Sequence, residues 1–223
     1  MKSSPIARIA LPLVSPLLAL AAPLIALAAP FVALAIATAP AYGLALGERA
    51  PQATTKMKNV DGKLVTIASS AGPKGTLVLF TCNHCPWVRA WEDRIVAVAA
   101  EARKRGIGVV AVNPNDPSAY PEDSYENMQS RAKQKHYGFA YVVDATSEVA
   151  RAFGATHTPE AYLFDAQGRL VYHGTIDDNA HEPDKVTARY LADAVTAVAS
   201  GKPVANAETK SLGCSIKYRR SAE

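Results

Sequence analysis

The apolar positions of the chain fall into short continuous runs separated by longer segments with helical spacing. The runs at 76–80 and 107–112 are rich in β-branched and aromatic residues, which is typical of strands buried on both faces of a sheet. Between them, residues 87–105 carry apolar side chains three and four positions apart, as in an amphipathic helix. Strand, helix and strand in this order predict a sheet with parallel central strands.

The rest of the chain continues this alternation. The further predicted elements, in chain order, are an edge strand at 63–67 after the hairpin-type turn Asp61-Gly62, a helix at 122–136, a strand at 139–143, a helix at 147–153, a strand hairpin at 160–164 and 169–173, and a last helix at 183–199. The pattern predicts an α/β fold in one domain, with a central mixed sheet and helices on both faces.

Residues 1–41 have the pattern of an export segment. Lys2 and Arg8 precede a stretch without charge that runs to Ala41 and ends in small residues suited to signal cleavage. The apolar stretch is about twice as long as the roughly 7–15 residues of a common signal core. A retained membrane anchor is the alternative, but repeated prolines disfavour a long spanning helix.

Either form of the N-terminal segment predicts an exported protein, periplasmic or extracellular, that contacts the membrane only if the segment is retained. Behind it we expect one domain at 44–200 and a tail at 201–223 that carries Cys214. The net charge of +4 is modest, and the sequence contains no basic run that would favour nucleic-acid binding. Three cysteines are too few, and an odd number, for a disulfide scaffold.

Two of these cysteines form a Cys-x-x-Cys motif, Cys82-Asn83-His84-Cys85, directly after a predicted buried strand and before a helix. Unpaired amides and the dipole at a helix N-terminus stabilise a thiolate, and only the thiolate attacks a disulfide. We therefore expect Cys82 to be an exposed nucleophile and Cys85 a more buried resolving thiol. His84 either favours the thiolate of Cys82 or is simply exposed at the helix start.

A metal site is the alternative interpretation of the two thiols. Structural zinc takes four ligands, often from two such motifs, and this chain has only one. Cys82 and Cys85 would need a distant histidine such as His157 to complete a site. Covalent haem attachment requires histidine directly after the second cysteine, where Pro86 stands. We expect no bound cofactor.

The Cys-x-x-Cys motif, with Thr158-Pro159 before a later strand, resembles the thioredoxin superfamily. More narrowly, residues 80–88, 144–154 and 213–217 resemble the peroxiredoxin-like branch of the alkyl hydroperoxide reductase/thiol-specific antioxidant family. The resemblance spans residues 44–218. It implies a thioredoxin-like fold, a cis Pro159 beside the dithiol, and a Thr158 backbone presented to an extended chain.

The same resemblance leaves two uses open for Cys214: a third redox thiol that pairs with Cys82 or Cys85, or a plain buried residue. The chain departs from its relatives in two respects. It lacks the P-x-x-x-T-x-x-C motif of true peroxiredoxins, and the strand at 76–81 lacks the buried aspartate of thioredoxins.

We therefore expect an enzyme, an extracytoplasmic thiol–disulfide oxidoreductase in which Cys82 attacks and Cys85 resolves. Its partners would be a protein or small-molecule disulfide or thiol and a redox partner protein. A thiol peroxidase, in which a cysteine is oxidised to a sulfenic acid, is the first alternative. A metal-binding module of thioredoxin fold is the second.

Overall fold

The computed structural model of the protein describes residues 43–220. The predicted export segment, with its cleavage after Ala41, lies outside the described residues. Within 43–220, no helix is both long and apolar enough to cross a membrane.

The described residues form a mixed sheet and a small separate strand pair. The strands are β1 (Met57–Asn59), β2 (Leu64–Val65), β3 (Gly75–Phe80), β4 (Ile107–Asn113), β5 (Ala140–Val143), β6 (His157–Thr158), β7 (Glu160–Asp165), β8 (Leu170–Gly174) and β9 (Cys214–Ser215). One group has the order β2-β1-β5-β4 and a second has the order β3-β7-β8; β3 lies beside β4, so seven strands form the central sheet. β4 and β5 are parallel, whereas β7 pairs antiparallel with β3 and with β8. β6 pairs with β9.

Four α-helices cover the sheet: α1 (Pro86–Lys104), α2 (Tyr125–Gln134), α3 (Glu148–Phe153) and α4 (Tyr190–Ala199). Successive residues of β3 point to opposite faces, so Leu77 and Leu79 join one core while Val78 and Phe80 join another. The first core contains the buried faces of α1, α2 and α4, and the second contains α3. The predicted mixed sheet with helices on both faces is confirmed.

Helix α1 begins and ends where its sequence allows. Pro86 occupies the first turn, where the missing amide proton is harmless. At the other end Gly106 adopts φ +86°, a left-handed conformation that glycine tolerates and that ends the helix. Between these ends Trp91, Ile95 and Ala99 are buried against the sheet, as the helical period predicts.

Two predicted helices are shorter than expected. The prediction of a single helix at 183–199 is wrong. A 3-10 turn (Pro183–Lys185) is followed by extended chain, and α4 begins only at Tyr190. The Asp178 carboxylate accepts the Thr187 amide at 3.0 Å and holds this stretch away from helical geometry. Similarly, α2 begins after a 3-10 turn (Pro121–Asp123) rather than at residue 122. The short strands β1, β6 and β9 were not predicted.

Candidate active site

The Cys-x-x-Cys motif lies between the end of β3 and the start of α1, as its sequence context predicts. Both thiols are buried: Cys82 is 2% exposed and Cys85 is 0% exposed. The expectation of an exposed Cys82 is therefore wrong. Cys214 of the C-terminal tail packs against the pair.

Cys85 has the closest sulfur neighbour in the site. Its Sγ lies 2.8 Å from Sγ of Cys214. It also lies 3.1 Å from the carbonyl oxygen of Thr158, to which the protonated thiol donates. The Val88 amide in the first turn of α1 donates to the same sulfur. The helix N-terminus therefore supports a negative charge on Cys85.

The thiol pKa values differ accordingly. A hydrogen bond from Cys82 is the main cause that lowers the pKa of Cys85 to about 5; Cys214 and Val88 lower it further, against the opposing effect of burial. Burial and the hydrogen bond to Cys85 raise the pKa of Cys82. Burial and the same neighbour raise the pKa of Cys214 to about 11. The sequence placed the thiolate on Cys82, whereas the structure places it on Cys85.

Thr158 and Pro159 form one wall of the site. The Thr158–Pro159 peptide bond is cis, which confirms the expectation from the sequence. The Thr158 hydroxyl lies 3.2 Å from Sγ of Cys82, and its carbonyl contacts Cys85. A single residue of β6 thus touches both thiols.

His84 is paired with a buried carboxylate. Its Nδ1 lies 2.5 Å from Oδ2 of Asp123, and its ring stacks on Tyr120 with centroids 3.9 Å apart. A ring nitrogen of His84, a carboxylate oxygen of Asp123 and the Cys82 sulfur all lie within 4.8 Å of one another. His84 is therefore near Cys82, but its short contact is to Asp123.

Asp123 is a site residue that the sequence analysis missed. It is 1% exposed, and one carboxylate oxygen accepts the backbone amides of Asn83 and His84 at 2.6 and 3.1 Å. The other oxygen also accepts Nδ2 of Asn115 at 2.8 Å. Its negative charge contributes to the raised pKa of Cys82. Asp123 supplies the buried acid that is absent from the strand before the motif.

A positional signal for Asp123 was present in the sequence. The residue follows β4, and neighbouring strands of an α/β sheet bring the loops at their carboxyl ends to one edge. The Cys-x-x-Cys motif follows β3, which lies beside β4. The polar loop after the second buried strand was therefore the place to search for a partner of the dithiol.

The metal alternative is not assembled as the sequence suggested. His157 lies beside β9, and its Nδ1 is 2.8 Å from Oγ1 of Thr156. Within residues 43–220, the group of three candidate ligands that comes together is Cys82, His84 and Asp123. Within that group, Nδ1 of His84 already lies 2.5 Å from Oδ2 of Asp123, so a metal bound by these two atoms would have to replace that contact.

Glu160 is a buried carboxylate that holds the segment leading into Thr158. This carboxylate is 2% exposed and accepts the backbone amides of Thr156 and His157 at 2.8 and 3.0 Å. It also lies 2.7 Å from Nε2 of His173 and accepts the Ser211 hydroxyl at 2.9 Å. These hydrogen bonds hold the pKa of Glu160 below its ordinary value although burial opposes them. One buried charge thus joins β6, β8 and the tail.

Comparison with known protein families identifies the family of this chain. The profile of the AhpC/TSA family matches residues 46–173, more than half of the 223-residue chain. The chain belongs to the AhpC/TSA family. The resemblance stated from the motifs is confirmed, and the chain is a redox enzyme of this family.

Solved structures agree with this assignment. The chain is similar to an uncharacterized conserved protein from Geobacillus kaustophilus, with 38% identity over 80% of this chain and 94% of that one and a TM-score of 0.74. It is also similar to a hypothetical protein from Sinorhizobium meliloti, with 37% identity over 80% of this chain and 97% of that one and a TM-score of 0.74.

A more distant similarity concerns the fold alone. The thioredoxin domain of a thiol-disulfide oxidoreductase from Bacteroides vulgatus matches with a TM-score of 0.50, 19% identity, and coverage of 59% of this chain and 89% of that one. This similarity confirms the expected thioredoxin-like fold. No curated protein sequence matches the chain.

The structure brings together the three cysteines and Thr158 that were singled out from the sequence, but not His157. Cys82, Cys85 and Cys214 form one cluster, and Thr158 contacts the first two. The pKa of Cys85 is lowered by its neighbours, whereas burial raises the pKa of Cys82 and of Cys214. Such a cluster can form disulfides within itself and exchange them with an outside disulfide or thiol.

Proposed function

We propose that this protein is a thiol–disulfide oxidoreductase that acts outside the cytoplasm through the dithiol Cys82 and Cys85. The observation that carries the proposal is the packing of the buried Cys82 and Cys85 in one cluster between β3 and α1, with Thr158 in contact with both sulfurs; the lowered pKa of Cys85 supports it. A thiolate at neutral pH is the first requirement of disulfide exchange.

The two thiols are sufficient to reduce a substrate disulfide with all atoms and electrons accounted for. The Cys85 thiolate takes the proton of Cys82, and the Cys82 thiolate attacks one sulfur of a substrate disulfide. This step forms a mixed disulfide and releases one substrate thiolate, which takes the proton back from Cys85. Cys85 then attacks Sγ of Cys82 and releases the second substrate thiolate. The substrate disulfide is reduced by two electrons and Cys82–Cys85 becomes a disulfide.

The proposal includes a partner and a location. A redox partner protein would restore the dithiol, or the reverse cycle would donate a disulfide to a protein or small-molecule thiol. The location is supported by residues 1–41, whose basic start, uncharged apolar stretch and small-residue end suit an export signal. Fractionation of cells that express the full chain, with N-terminal sequencing, tests this part.

The test of the activity compares two oxidants on the reduced full chain. Trp87 and Trp91 lie just after the dithiol and report its oxidation by fluorescence, and non-reducing peptide mapping identifies the disulfide formed. We expect oxidised glutathione to form Cys82–Cys85 quickly, and hydrogen peroxide to react no faster than with a simple dithiol. The Cys82→Ser variant should turn over oxidised glutathione much more slowly than the unmodified protein, because the attacking thiol is missing.

The opposite result would change the class. Oxidation by peroxide that is orders of magnitude faster, through a sulfenic acid, would make this chain a thiol peroxidase. Stoichiometric copper or zinc in protein purified under reducing conditions would instead favour the metal-binding alternative.

A further inference from the structure

Strand β6 is the part of the fold that controls access to the dithiol. Its second residue, Thr158, contacts Cys85 through the carbonyl oxygen and Cys82 through the hydroxyl. β6 is separate from the central sheet, and its pairing edge faces the tail. Any extended chain that pairs with β6 therefore lies across both thiols.

In this structure the tail of the same chain occupies that edge. β9 pairs antiparallel with β6 in a register that sets Cys214 opposite Thr158 and Ser215 opposite His157. The next amide, that of Ile216, donates to the Thr156 carbonyl at 2.9 Å and extends the pairing.

Gly213 permits the close approach of the two strands. A Cβ at this position would lie 2.3 Å from the Thr158 carbonyl oxygen and 3.2 Å from the Pro159 nitrogen. Only a residue without a side chain fits against this backbone. The tail sequence is therefore suited to lie on this edge.

Further contacts hold the chain beyond β9 in place. The Lys217 amide donates to Oδ1 of Asn115 at 2.9 Å, and the Lys217 carbonyl accepts the Asp116 amide at 2.7 Å. The guanidinium of Arg151 lies over the Tyr218 ring, 4.4 Å from its centroid. The tail is seated by backbone and side-chain contacts on both sides of Cys214.

The docked strand delivers a cysteine to the dithiol. Sγ of Cys214 lies 2.8 Å from Sγ of Cys85, and Cys214 is more exposed than the other two cysteines. A strand that adds to a free edge and presents one side chain to a reactive group is a common mode of peptide recognition. Here the strand that does so is part of the chain.

We propose that the C-terminal strand is an internal substrate of the dithiol: it fills the β6 edge in place of an extended polypeptide and offers Cys214 as the substrate thiol. The proposal rests on the thiol–disulfide activity described above. Two consequences follow, one for the disulfides that the protein forms and one for the substrates that it accepts.

The first consequence is a second disulfide. Once Cys82–Cys85 has formed, the Cys214 thiolate attacks Sγ of Cys85, the Cys82–Cys85 bond breaks, and Cys82 takes the proton that Cys214 released. No electrons are gained or lost in this internal exchange. The resulting Cys85–Cys214 disulfide is then reduced by an external dithiol, which loses two electrons, at the more exposed Cys214 sulfur.

The second consequence concerns substrate size. An extended polypeptide must displace β9 before it can pair with β6, whereas a small disulfide does not use that edge. The protein with a docked tail should therefore favour small disulfides. Removing the tail from the edge should improve turnover of peptide disulfides selectively.

The test of selectivity uses Gly213→Val, which forces the strands apart, and Ser215→Val as the matched control, since Ser215 is exposed. Two substrates share one leaving group: oxidised glutathione and a linear peptide whose single cysteine is linked to glutathione. For Gly213→Val we expect the ratio of kcat/KM for the peptide to that for oxidised glutathione to rise about tenfold or more. The control should keep the ratio of the unmodified protein.

The second test does not depend on displacing the tail. In Cys82→Ser, oxidised glutathione followed by peptide mapping should yield Cys85–Cys214. An unchanged ratio in Gly213→Val, or a Cys85 that stays unpaired with Cys214, overturns the proposal. If the unmodified protein reduces neither substrate, the proposed function fails instead, so the two failures are distinguishable.

Discussion

Replacing Cys85 by serine should abolish an acidic thiol titration that survives replacement of Cys82. The groups that lower the pKa of Cys85 converge on its sulfur: they are the Cys82 thiol, the Cys214 thiol and the Val88 amide. Serine at position 82 still offers a hydroxyl donor. Serine at position 85 leaves Cys82 buried, with a raised pKa.

The size of the effect follows from the pKa of about 5 for Cys85. At pH 7 this value gives about a hundred thiolates for each protonated thiol, whereas an unperturbed cysteine near 8.5 gives about one thiolate in thirty molecules. The low pKa also affects stability. Because the folded pKa lies below the unfolded one, the contribution is full above about 8.5 and is lost as the pH falls towards about 5.

Ultraviolet thiolate absorbance, recorded against pH on the reduced protein, measures the titration, and urea unfolding at several pH values measures the stability. Cys82→Ser should retain a transition well below pH 7, and Cys85→Ser should show none there. Cys214→Ala removes one donor and should raise the midpoint. An acidic transition that disappears with Cys82 and remains without Cys85 would refute this assignment of the charge.

The remaining predictions concern the residues around the dithiol and the core. Glu160→Gln should lower the free energy of unfolding by about 1–3 kcal/mol, because buried donors lose an ionic acceptor, whereas the exposed Glu182→Gln should stay within about 0.5 kcal/mol in the same urea experiment. The lowered pKa of Glu160 predicts that stability falls as acid protonates it, so the Tm of the variant should depend less on pH below about 4.5. Asp123→Asn should lower the pKa of Cys82 in the thiol titration, because the negative charge of Asp123 contributes to raising that pKa. An unchanged pKa would count against this coupling. Phe153→Ala should cost about 3–5 kcal/mol in urea unfolding, because the buried ring packs edge-on against three aromatic neighbours.

The helices and strands that were predicted accurately from the sequence are those long enough to show a clear hydrophobic period. β3, α1 and β4 are long, strongly apolar on the expected positions, and bounded by glycine or proline, so their bounds were predicted within one or two residues. The prediction of one helix at 183–199 was wrong because Asp178 accepts the Thr187 amide from nine residues away. The helical period of the segment does not encode this contact. Propensity decides an element only where tertiary contacts do not compete with it.

The dithiol was predictable, but its charge was not. The motif and the helix that follows it predict a stabilised thiolate on one of the two cysteines. The pKa of Cys85 is lowered first by its contact with Cys82 and further by Cys214 in the tail, and the position of that tail is not encoded in the motif. β9 has two residues, too few for any periodicity, and its position follows from a pairing 56 residues distant in sequence, between Thr158 and Cys214.

The buried carboxylate of Glu160 links the C-terminal tail to the segment that leads into Thr158. Glu160 accepts amides from the segment that leads into β6 and a hydroxyl from Ser211 in the tail. Removing the tail would therefore leave Glu160 with one donor fewer, and β6 would lose its paired strand as well. Since each hydrogen bond to a buried charge is stabilising, the Ser211 contact with Glu160 favours the docked tail. An external strand that replaces β9 restores the backbone hydrogen bonds of β6 but not the Ser211 contact, so it competes at a disadvantage with the chain's own tail.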